Sequence, residues 1–402
     1  DDVPRGAWCN MFNDSALDSL QQTVAAGNLE LQAALARVEQ ARATARINRS
    51  EFYPALQAQP TFARYRTSGN APSPVPFPVP SFRQSQWSVP FDLSYELDLW
   101  GRVRRSFDSA QQLALGAEAA RQSVLLSLQA DVAATYFSWQ SVHRETALLT
   151  QAIQLRKEAL QIFEQRLAAG IGNEFEVERS RVEVASAEAD LQSAQRRRAE
   201  YLDALALLAG TTPASFNPPS VTPPAKLPAI APDLPSGLLE RRPDVAQAER
   251  ELASRLSQIG VAKAAFFPSV HLTASGGVLS GDISDLFLWE SRTWAFGPRL
   301  TLPLFQGGRN KASLDRAQAG YDEGVAQYRQ RVLVAFKEVE DSLAALQHLQ
   351  GEADARHKAA KAAAQAAKLS LERYRAGAIN FLEVVDSENA RLLNELSRVR
   401  VA

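Results

Sequence analysis

Apolar and polar residues alternate along four short segments of the chain. In residues 87–99, every odd position from Trp87 to Leu99 is apolar or aromatic, and the even positions are polar except for Pro90. A period of two residues is typical of a β-strand with one apolar and one polar face. The pattern predicts strands at about residues 55–67, 87–99, 269–278 and 293–305.

Helical sequence surrounds these strands. Residues 102–168 contain no proline and a single glycine, Gly116, and residues 309–375 occupy the corresponding place after the later strands. At about 1.5 Å per residue, each of these helices is on the order of 100 Å long. Apolar and alanine positions at helical spacing predict another helix over residues 15–50.

The chain repeats itself once. The segment GRVRRSFDSAQ (101–111) matches GRNKASLDRAQ (308–318), and RLAAGIGNEFEVE (166–178) matches RYRAGAINFLEVV (373–385), both at an offset of 207 residues. The repeat predicts that the second half of the chain builds the same elements as the first half.

Two structural repeats are therefore predicted, over residues 1–210 and 237–402. Residues 211–236 join them and are rich in proline, so this linker should be extended.

Both long helices are predicted to end in the same tight turn. Gly170 and Gly377 stand where a left-handed residue ends a helix. Asn173 and Asn380 follow three residues later, each with a glutamate three positions further on, as at the start of a capped helix. The sequence thus predicts two helical hairpins.

The strands have the length and polarity of membrane-spanning strands. About twelve tilted residues cross a bilayer core of roughly 30 Å. Trp87 and Trp294 begin equivalent strands, as an aromatic girdle requires. Four strands are too few to close a β-barrel, and open sheet edges are not tolerated in lipid. Several copies of the chain must therefore contribute strands to a single barrel. The predicted lipid-facing residues are Trp87, Val89, Phe91, Leu93, Tyr95, Trp294, Phe296 and Leu300.

Composition removes several other classes of function. The net charge is −1, which gives no support for nucleic-acid binding. The single cysteine, Cys9, excludes an intramolecular disulfide framework, and the four histidines lack the spacing of metal ligands. No nucleophile, base and orienting residue form a catalytic set, so the chain is not predicted to be an enzyme. A soluble helical scaffold or interaction protein remains the alternative from another class.

Several motifs resemble the TolC/OprM family of trimeric outer-membrane efflux channels. They are WCNMFNDSALDSL with Trp8, Phe12, Asp14, Leu17 and Leu20, YELDLWGR (95–102), LLERRPDVAQAE (238–249), AAFFPS (264–269), LPLFQGGR (302–309) and RYRAGAINFLEVVDSEN (373–389). The resemblance implies a mixed α and transmembrane β fold: a homotrimer with a twelve-stranded β-barrel, continued by a long periplasmic α-helical barrel. It also implies an equatorial domain, with the proline-rich linker near it. It further implies that the protein lies in the outer membrane of a Gram-negative bacterium, in contact with the membrane lipids. The implied protein partners are a periplasmic adaptor protein and an inner-membrane pump, usually proton-driven and of the RND type.

The resemblance also implies a gate and docking sites. Hydrophobic and acidic rings close the periplasmic end in this family, and Leu382, Asp386 and the nearby Glu383 match them. Three Asp386 carboxylates on a threefold axis would favour cations in the pore. The equivalent residues of the first repeat are Phe175 and Arg179, and contact of Arg179 with the mouth is one further hypothesis. The plain alternative is that these acids only stabilise a first helical turn. The segments resembling adaptor-docking tips contain Arg166, Leu167, Gly170, Arg373, Tyr374 and Gly377.

Cargo and anchoring follow from the same resemblance. Related channels carry a lipidated cysteine upstream of the motif that contains Cys9, so a lipid anchor is expected before this sequence, and helix lengths suggest that the chain continues beyond residue 402. No cofactor is otherwise expected. Silver and copper exporters would use soft sulfur ligands, whereas this chain has one methionine and one cysteine. Drugs or other small organic compounds are therefore the predicted cargo, with heavy-metal efflux or type I secretion as alternatives. His271 is predicted to line the pore wall.

Overall fold

The computed structural model describes residues 8–70, 81–221, 237 and 241–401. Most of the proline-rich linker, residues 222–236, lies outside the described residues, as do parts of the loop before residue 81 and of the LLERRPDVAQAE motif. Among the described residues, no helix combines the length and the apolar character needed to cross a membrane. The helices are α1 (Ser15–Gly27), α2 (Leu29–Ser50), α3 (Arg102–Ala168), α4 (Glu174–Leu208), α5 (Pro243–Ala264), α6 (Arg309–Arg375) and α7 (Phe381–Val401).

The chain forms two compact units, and each draws on both sequence repeats. One unit contains Asp1–Ala34, Arg121–Arg241 and Leu333–Ala402, and the other contains Leu35–Ala120 and Arg242–Val332. The second unit contains the sheet, whose strands are β1 (Ala55–Ala58), β2 (Thr61–Arg66), β3 (Arg83–Leu97), β4 (Ser269–Ser280) and β5 (Arg292–Thr301).

The sheet is antiparallel, in the order β1–β3–β4–β5, with β2 pairing along β3 beyond β1. The strand predicted over 55–67 is thus interrupted: Pro60 has no N–H to donate to a ladder, and the Gln59 N–H bonds to the Pro90 carbonyl at 3.3 Å. β3 begins at Arg83, four residues earlier than predicted, because Arg83–Ser88 pair with β2.

The strand ends also differ from the predicted ones. β3 ends at Leu97 rather than 99, since the Asp98 carboxylate accepts the backbone N–H groups of Val103 (3.1 Å) and Arg104 (3.0 Å) and begins α3. β4 extends to Ser280, and β5 ends at Thr301 rather than 305 because its partner strand β4 begins at Ser269.

The helix predicted over residues 15–50 is divided at Asn28, which has an extended backbone. Its N–H closes α1 on the Val24 carbonyl (2.9 Å), and its Oδ1 accepts the Leu31 N–H (2.9 Å) in the first turn of α2. Its Nδ2 donates to the Leu208 carbonyl at 2.8 Å. A single asparagine therefore ends one helix, caps the next and fixes both to α4.

The core of the first unit lies around the middle of α3. Tyr136 is fully buried there, and its hydroxyl donates to Asp14 Oδ2 at 3.0 Å. The Asp14 carboxylate also caps α1 through the N–H groups of Ala16 and Leu17. The buried residues around Tyr136 are Leu17, Leu20, Val24, Leu128, Val132, Ala133, Trp139, Leu205 and Ala209. A second cluster joins α3 to α4 and α7 through Val142, Leu149, Ala152, Ala194, Leu392 and Leu396.

Candidate functional site

The first hairpin turn is closed by a left-handed glycine. Gly170 has φ +75°, a conformation that L-residues with a Cβ rarely adopt. Its N–H donates to the Leu167 carbonyl (3.0 Å), and the Ile171 N–H donates to the Arg166 carbonyl (3.0 Å). These are the two bonds of a Schellman motif, which satisfies the last carbonyls of α3.

The second turn repeats this construction. Gly377 has φ +72°, its N–H donates to the Tyr374 carbonyl (2.9 Å), and the Ala378 N–H donates to the Arg373 carbonyl (3.0 Å). An asparagine caps the next helix in each hairpin: Asn173 accepts the Phe175 N–H and Asn380 accepts the Glu383 N–H. The two turns therefore share one backbone plan.

Side chains join the two turns directly. Arg166 Nη1 donates to the Tyr374 hydroxyl at 3.0 Å. The Tyr374 ring lies 5.3 Å from that of Phe381, which in turn lies 4.3 Å from the Phe163 ring. Two of the residues that resemble docking segments, Arg166 and Tyr374, thus meet, while Leu167 is exposed.

The candidate gate residues lie on α4 and α7. Arg179 Nη2 and Asp386 Oδ1 form an ion pair at 3.1 Å, and their side chains are 36% and 64% exposed. Leu382 and Phe175, one turn earlier on each helix, are also exposed. Arg179 and Asp386, which hold equivalent positions of the repeat, therefore face each other with opposite charges. Glu383 is exposed in the same first turn of α7.

One polar cluster at this site was not predicted. Arg156 of α3 donates to the Glu183 carbonyl of α4 (2.8 Å) and to the Asn389 side chain of α7. Asn389 Nδ2 donates to Glu183 Oε2 at 3.1 Å, and Arg156 lies 3.4 Å from the same oxygen. These three residues line a cavity of about 200 Å³. Charged residues on a helical pattern usually indicate a solvated face, so sequence gave no indication of the cluster.

A buried carboxylate connects the same three helices further along. Glu145 Oε1 accepts hydrogen bonds from Arg197 Nη2 (2.9 Å) and Arg400 Nη2 (2.7 Å), and its side chain is only 3% exposed. Burial opposes ionisation, but the hydrogen bonds from Arg400 and Arg197 outweigh it and lower the pKa of this carboxyl. Glu145 is therefore an ionised group that holds α4 and α7 against α3.

The predicted lipid-facing residues share one face of the sheet. Val89 stands opposite Val278, Leu93 opposite Ala274, and Phe296 opposite that same Ala274. Residues directly opposite in an antiparallel pair project from the same face, so the odd positions of β3 and the even positions of β5 are together. The other face is polar: His271 stands opposite Glu96 and Arg299.

Residues 20–211 and 234–401 match the family model described as outer membrane efflux protein. The chain belongs to this family. The resemblance seen in its motifs is confirmed, and with it the outer-membrane location and a role in efflux.

Relatives of known name agree with this assignment. OprJ, an outer membrane protein of Pseudomonas aeruginosa, is 36% identical over 97% of this chain and 81% of its own length. The toluene efflux pump outer membrane protein TtgC of Pseudomonas putida is 34% identical over 95% of this chain and 78% of its own. The cation efflux system protein CusC of Escherichia coli is 30% identical over 97% of this chain and 83% of its own.

Solved structures show the same fold. A membrane protein from Pseudomonas aeruginosa superposes with a TM-score of 0.91 at 36% identity, covering 97% of this chain and 90% of the other. The outer-membrane channel OprN gives 0.90 at 28% identity, covering 99% and 90%. Members of the family are thus channels rather than enzymes.

Proposed function

We propose that this chain is the outer-membrane duct of a tripartite efflux pump, and that the contact between Arg179 and Asp386 gates it. This contact joins two neighbouring helices, one from each hairpin, through side chains that solvent reaches. An exposed ion pair contributes less than about 1 kcal/mol. A contact of this strength is readily broken and re-formed, as a gate requires.

Leu382 supplies the apolar part of the same gate. It lies one turn before Asp386, so both side chains are on the same face of α7. In the described chain Leu382 is 40% exposed and Phe175 is 65% exposed, and such side chains favour contact with further copies around an axis. A ring of carboxylates there would favour cations.

A homotrimer fits two features of the single chain. The sheet keeps unpaired outer edges at β1 and β2 and at β5 in the part of the chain that the structure describes, and open edges are not tolerated in lipid. The helix α6 also exposes Leu333, Leu343, Leu346 and Leu349. β1 and β2 both pair along β3 and together occupy one strand position, so each copy supplies four positions. Three copies would form the predicted twelve-stranded barrel and cover these leucines.

The partners follow from the proposed role. A passive duct needs a periplasmic adaptor and an inner-membrane pump, for which a proton-driven RND pump is our proposal. The exposed hairpin turns around Gly170 and Gly377 are where the adaptor would dock. The duct itself would perform no catalysis.

Small organic compounds are the proposed cargo. TtgC, whose name gives toluene, is more similar to this chain than CusC, whose name gives cations. Metal cargo is not favoured, because Met11 and Cys9 are the chain's only sulfur-bearing residues. Cys9 is buried, and this burial together with the Asp18 charge raises its pKa to about 11. A lipid anchor on an upstream cysteine stays a prediction.

Single-channel conductance in planar bilayers tests the gate. Asp386→Ala and Arg179→Ala should each raise the conductance several-fold over wild type, because each removes one side of the ion pair. Arg181→Ala is the matched control: Arg181 is an exposed arginine of α4 whose partners, Glu164 and Glu178, belong to the first hairpin alone.

Equal conductance in all four proteins would remove the Arg179–Asp386 contact from the gate. Folded wild-type protein that stays in solution without detergent and conducts nothing would contradict the duct itself.

A further inference from the structure

Three arginines stand at the end of the sheet's apolar face. Arg66 of β2 is directly opposite Arg83 of β3, and Arg64 is opposite Ser85 one pair further along. The next pair on the same face is Phe62 and Trp87, whose ring centroids are 4.3 Å apart. The arginine cluster, Arg64, Arg66 and Arg83, therefore begins where the aromatic residues of the apolar face end.

Among the described residues, no carboxylate neutralises this cluster. Residues 52–91 form a stretch without a single aspartate or glutamate. Asp282, Asp285 and Glu290, on the β4–β5 connection, make no ion pair with the cluster, and none of its members forms an ion pair with any other described residue. Arg66 Nε donates to Ser81 Oγ at 2.8 Å, which leaves its other guanidinium nitrogens available.

The arrangement is unfavourable as it stands. Like charges directly opposite each other on an antiparallel pair destabilise it, and Arg66 and Arg83 are such a pair. Both arginines are exposed, as is Arg64. A bound anion would convert this repulsion into attraction.

Two arginines that follow the opposite end of β3 do have carboxylate partners. Arg102 is paired with Glu96 (2.7 Å) and Glu51 (2.9 Å), and Arg104 is paired with Asp98 (3.0 Å). Two arginines at the start of α3 therefore have carboxylate partners, whereas the arginine cluster has none among the described residues.

We propose that the arginine cluster binds the phosphate groups of lipid headgroups at the membrane surface. The inference rests on the proposed function, which places the apolar face in lipid. Guanidinium groups bind phosphate through two parallel hydrogen bonds. Aromatic belts lie at headgroup level, and clusters of basic residues recognise anionic lipids.

The occupant is a lipid rather than free phosphate because the cluster continues an apolar surface. A headgroup phosphate bound between Arg66 and Arg83 leaves its acyl chains beside Phe62, Trp87 and Val89, which lie on the same face. A free anion would gain nothing from these neighbours.

Native mass spectrometry of the detergent-purified protein tests this proposal, with diphosphoryl lipid A as the probe. Wild type should retain it, and the double variant Arg66→Gln/Arg83→Gln should bind it about thirtyfold more weakly, since each cation near a lipid surface contributes about a factor of five. Arg66→Lys/Arg83→Lys should bind at an intermediate level because it keeps the charge and loses the paired hydrogen bonds. Arg299→Gln, which removes a charge from the polar face, should match wild type.

Equal retention by wild type and the glutamine variant overturns the proposal, and so does displacement of the lipid by millimolar inorganic phosphate. A second test uses wild-type protein alone. Monophosphoryl lipid A should bind several-fold more weakly than diphosphoryl lipid A, and equal binding of the two lipids again overturns the proposal. Conductance in neutral lipid should be the same in wild type and in the two variants of the arginine cluster. Loss of conductance in wild type would count against the duct, not against the lipid site.

Discussion

The two long helices are equivalent in the sequence repeat and equal in length, but they are packed very differently. α3 buries 18 of its 67 residues, whereas α6 buries five of its 67. Tyr136 and Trp139 of α3 correspond to Leu343 and Leu346 of α6 at the offset of 207 residues. The tyrosine and tryptophan are buried at 0% and 4% exposure, whereas the leucines are 37% and 44% exposed.

The second repeat thus has the same long helix with apolar residues at the same positions, but no helices of the described chain bury those residues. In α3 the corresponding residues are buried by α1, α4 and α7 of the same chain. In α6 the same positions are open to solvent, and the proposed trimer would cover them. The difference separates residues that stabilise the chain from residues that stabilise its assembly.

Tyr136→Ala should have the largest effect. It removes a fully buried ring and the hydrogen bond to Asp14, so we expect a loss of about 3–5 kcal/mol in the free energy of unfolding. Urea unfolding followed by circular dichroism measures it, and the midpoint should fall equally at low and high protein concentration. Tyr136→Phe, which keeps the ring, should lose only about 1 kcal/mol. Similar losses in the two variants would mean that the ring packing is unimportant.

Glu145→Gln in α3 and Glu352→Gln in α6 compare the loss of a buried carboxylate with the loss of an exposed one. Glu352, the repeat equivalent of Glu145, forms an exposed ion pair with Arg356 one turn away. Glu145→Gln weakens two charge-assisted hydrogen bonds to arginines that are themselves partly exposed, and it should cost about 2 kcal/mol, whereas Glu352→Gln should cost less than about 0.5 kcal/mol. Unfolding of both variants beside wild type gives the comparison, and equal costs would contradict it.

The pH dependence of the Glu145 effect has a definite sign. The folded-state pKa of Glu145 is lowered, so its ionised form stabilises the fold above the pKa of the unfolded chain, and that stability is lost as pH falls through the folded value. The difference between wild type and Glu145→Gln should therefore be full at neutral pH and shrink in acid. A difference that grows in acid would refute the lowered pKa.

The amino-acid sequence predicted the helices and strands better than the contacts between them. Alternation and the 207-residue repeat are local patterns, and they located both long helices and the strands to within a few residues. They missed the division at Asn28 because one side-chain cap there replaces helical bonds. They also missed Arg156 and Glu145, since their partners are set by packing between helices far apart in sequence. The Arg179–Asp386 contact was nearer to prediction, because equivalent residues of two neighbouring hairpins face each other.

Leu346→Asp tests whether the exposed positions of α6 serve assembly. A carboxylate placed in a contact between copies should weaken that contact by about 2 kcal/mol, or roughly thirtyfold in concentration. Light scattering of the detergent-purified protein at falling concentration measures the dissociation. Lys337→Ala, an exposed change on the same helix, is the control. An unchanged trimer in Leu346→Asp would mean that another surface joins the copies.

The smallest predicted effects concern the glycines of the two hairpin turns, which both halves of the chain share. Gly170→Ala and Gly377→Ala should each cost about 1 kcal/mol, because both glycines have positive φ and an added Cβ would have no atom within 4 Å. Gly172→Ala should cost more, since its Cβ would lie 2.6 Å from the Leu167 nitrogen. Unfolding midpoints of the three variants measure these costs. Equal losses at Gly170 and Gly377 would show that the turns are interchangeable as backbone, so that any difference between the hairpins in gating must come from side chains such as Arg179 and Asp386. Unequal losses would instead show that one turn has contacts in the assembly that the other lacks.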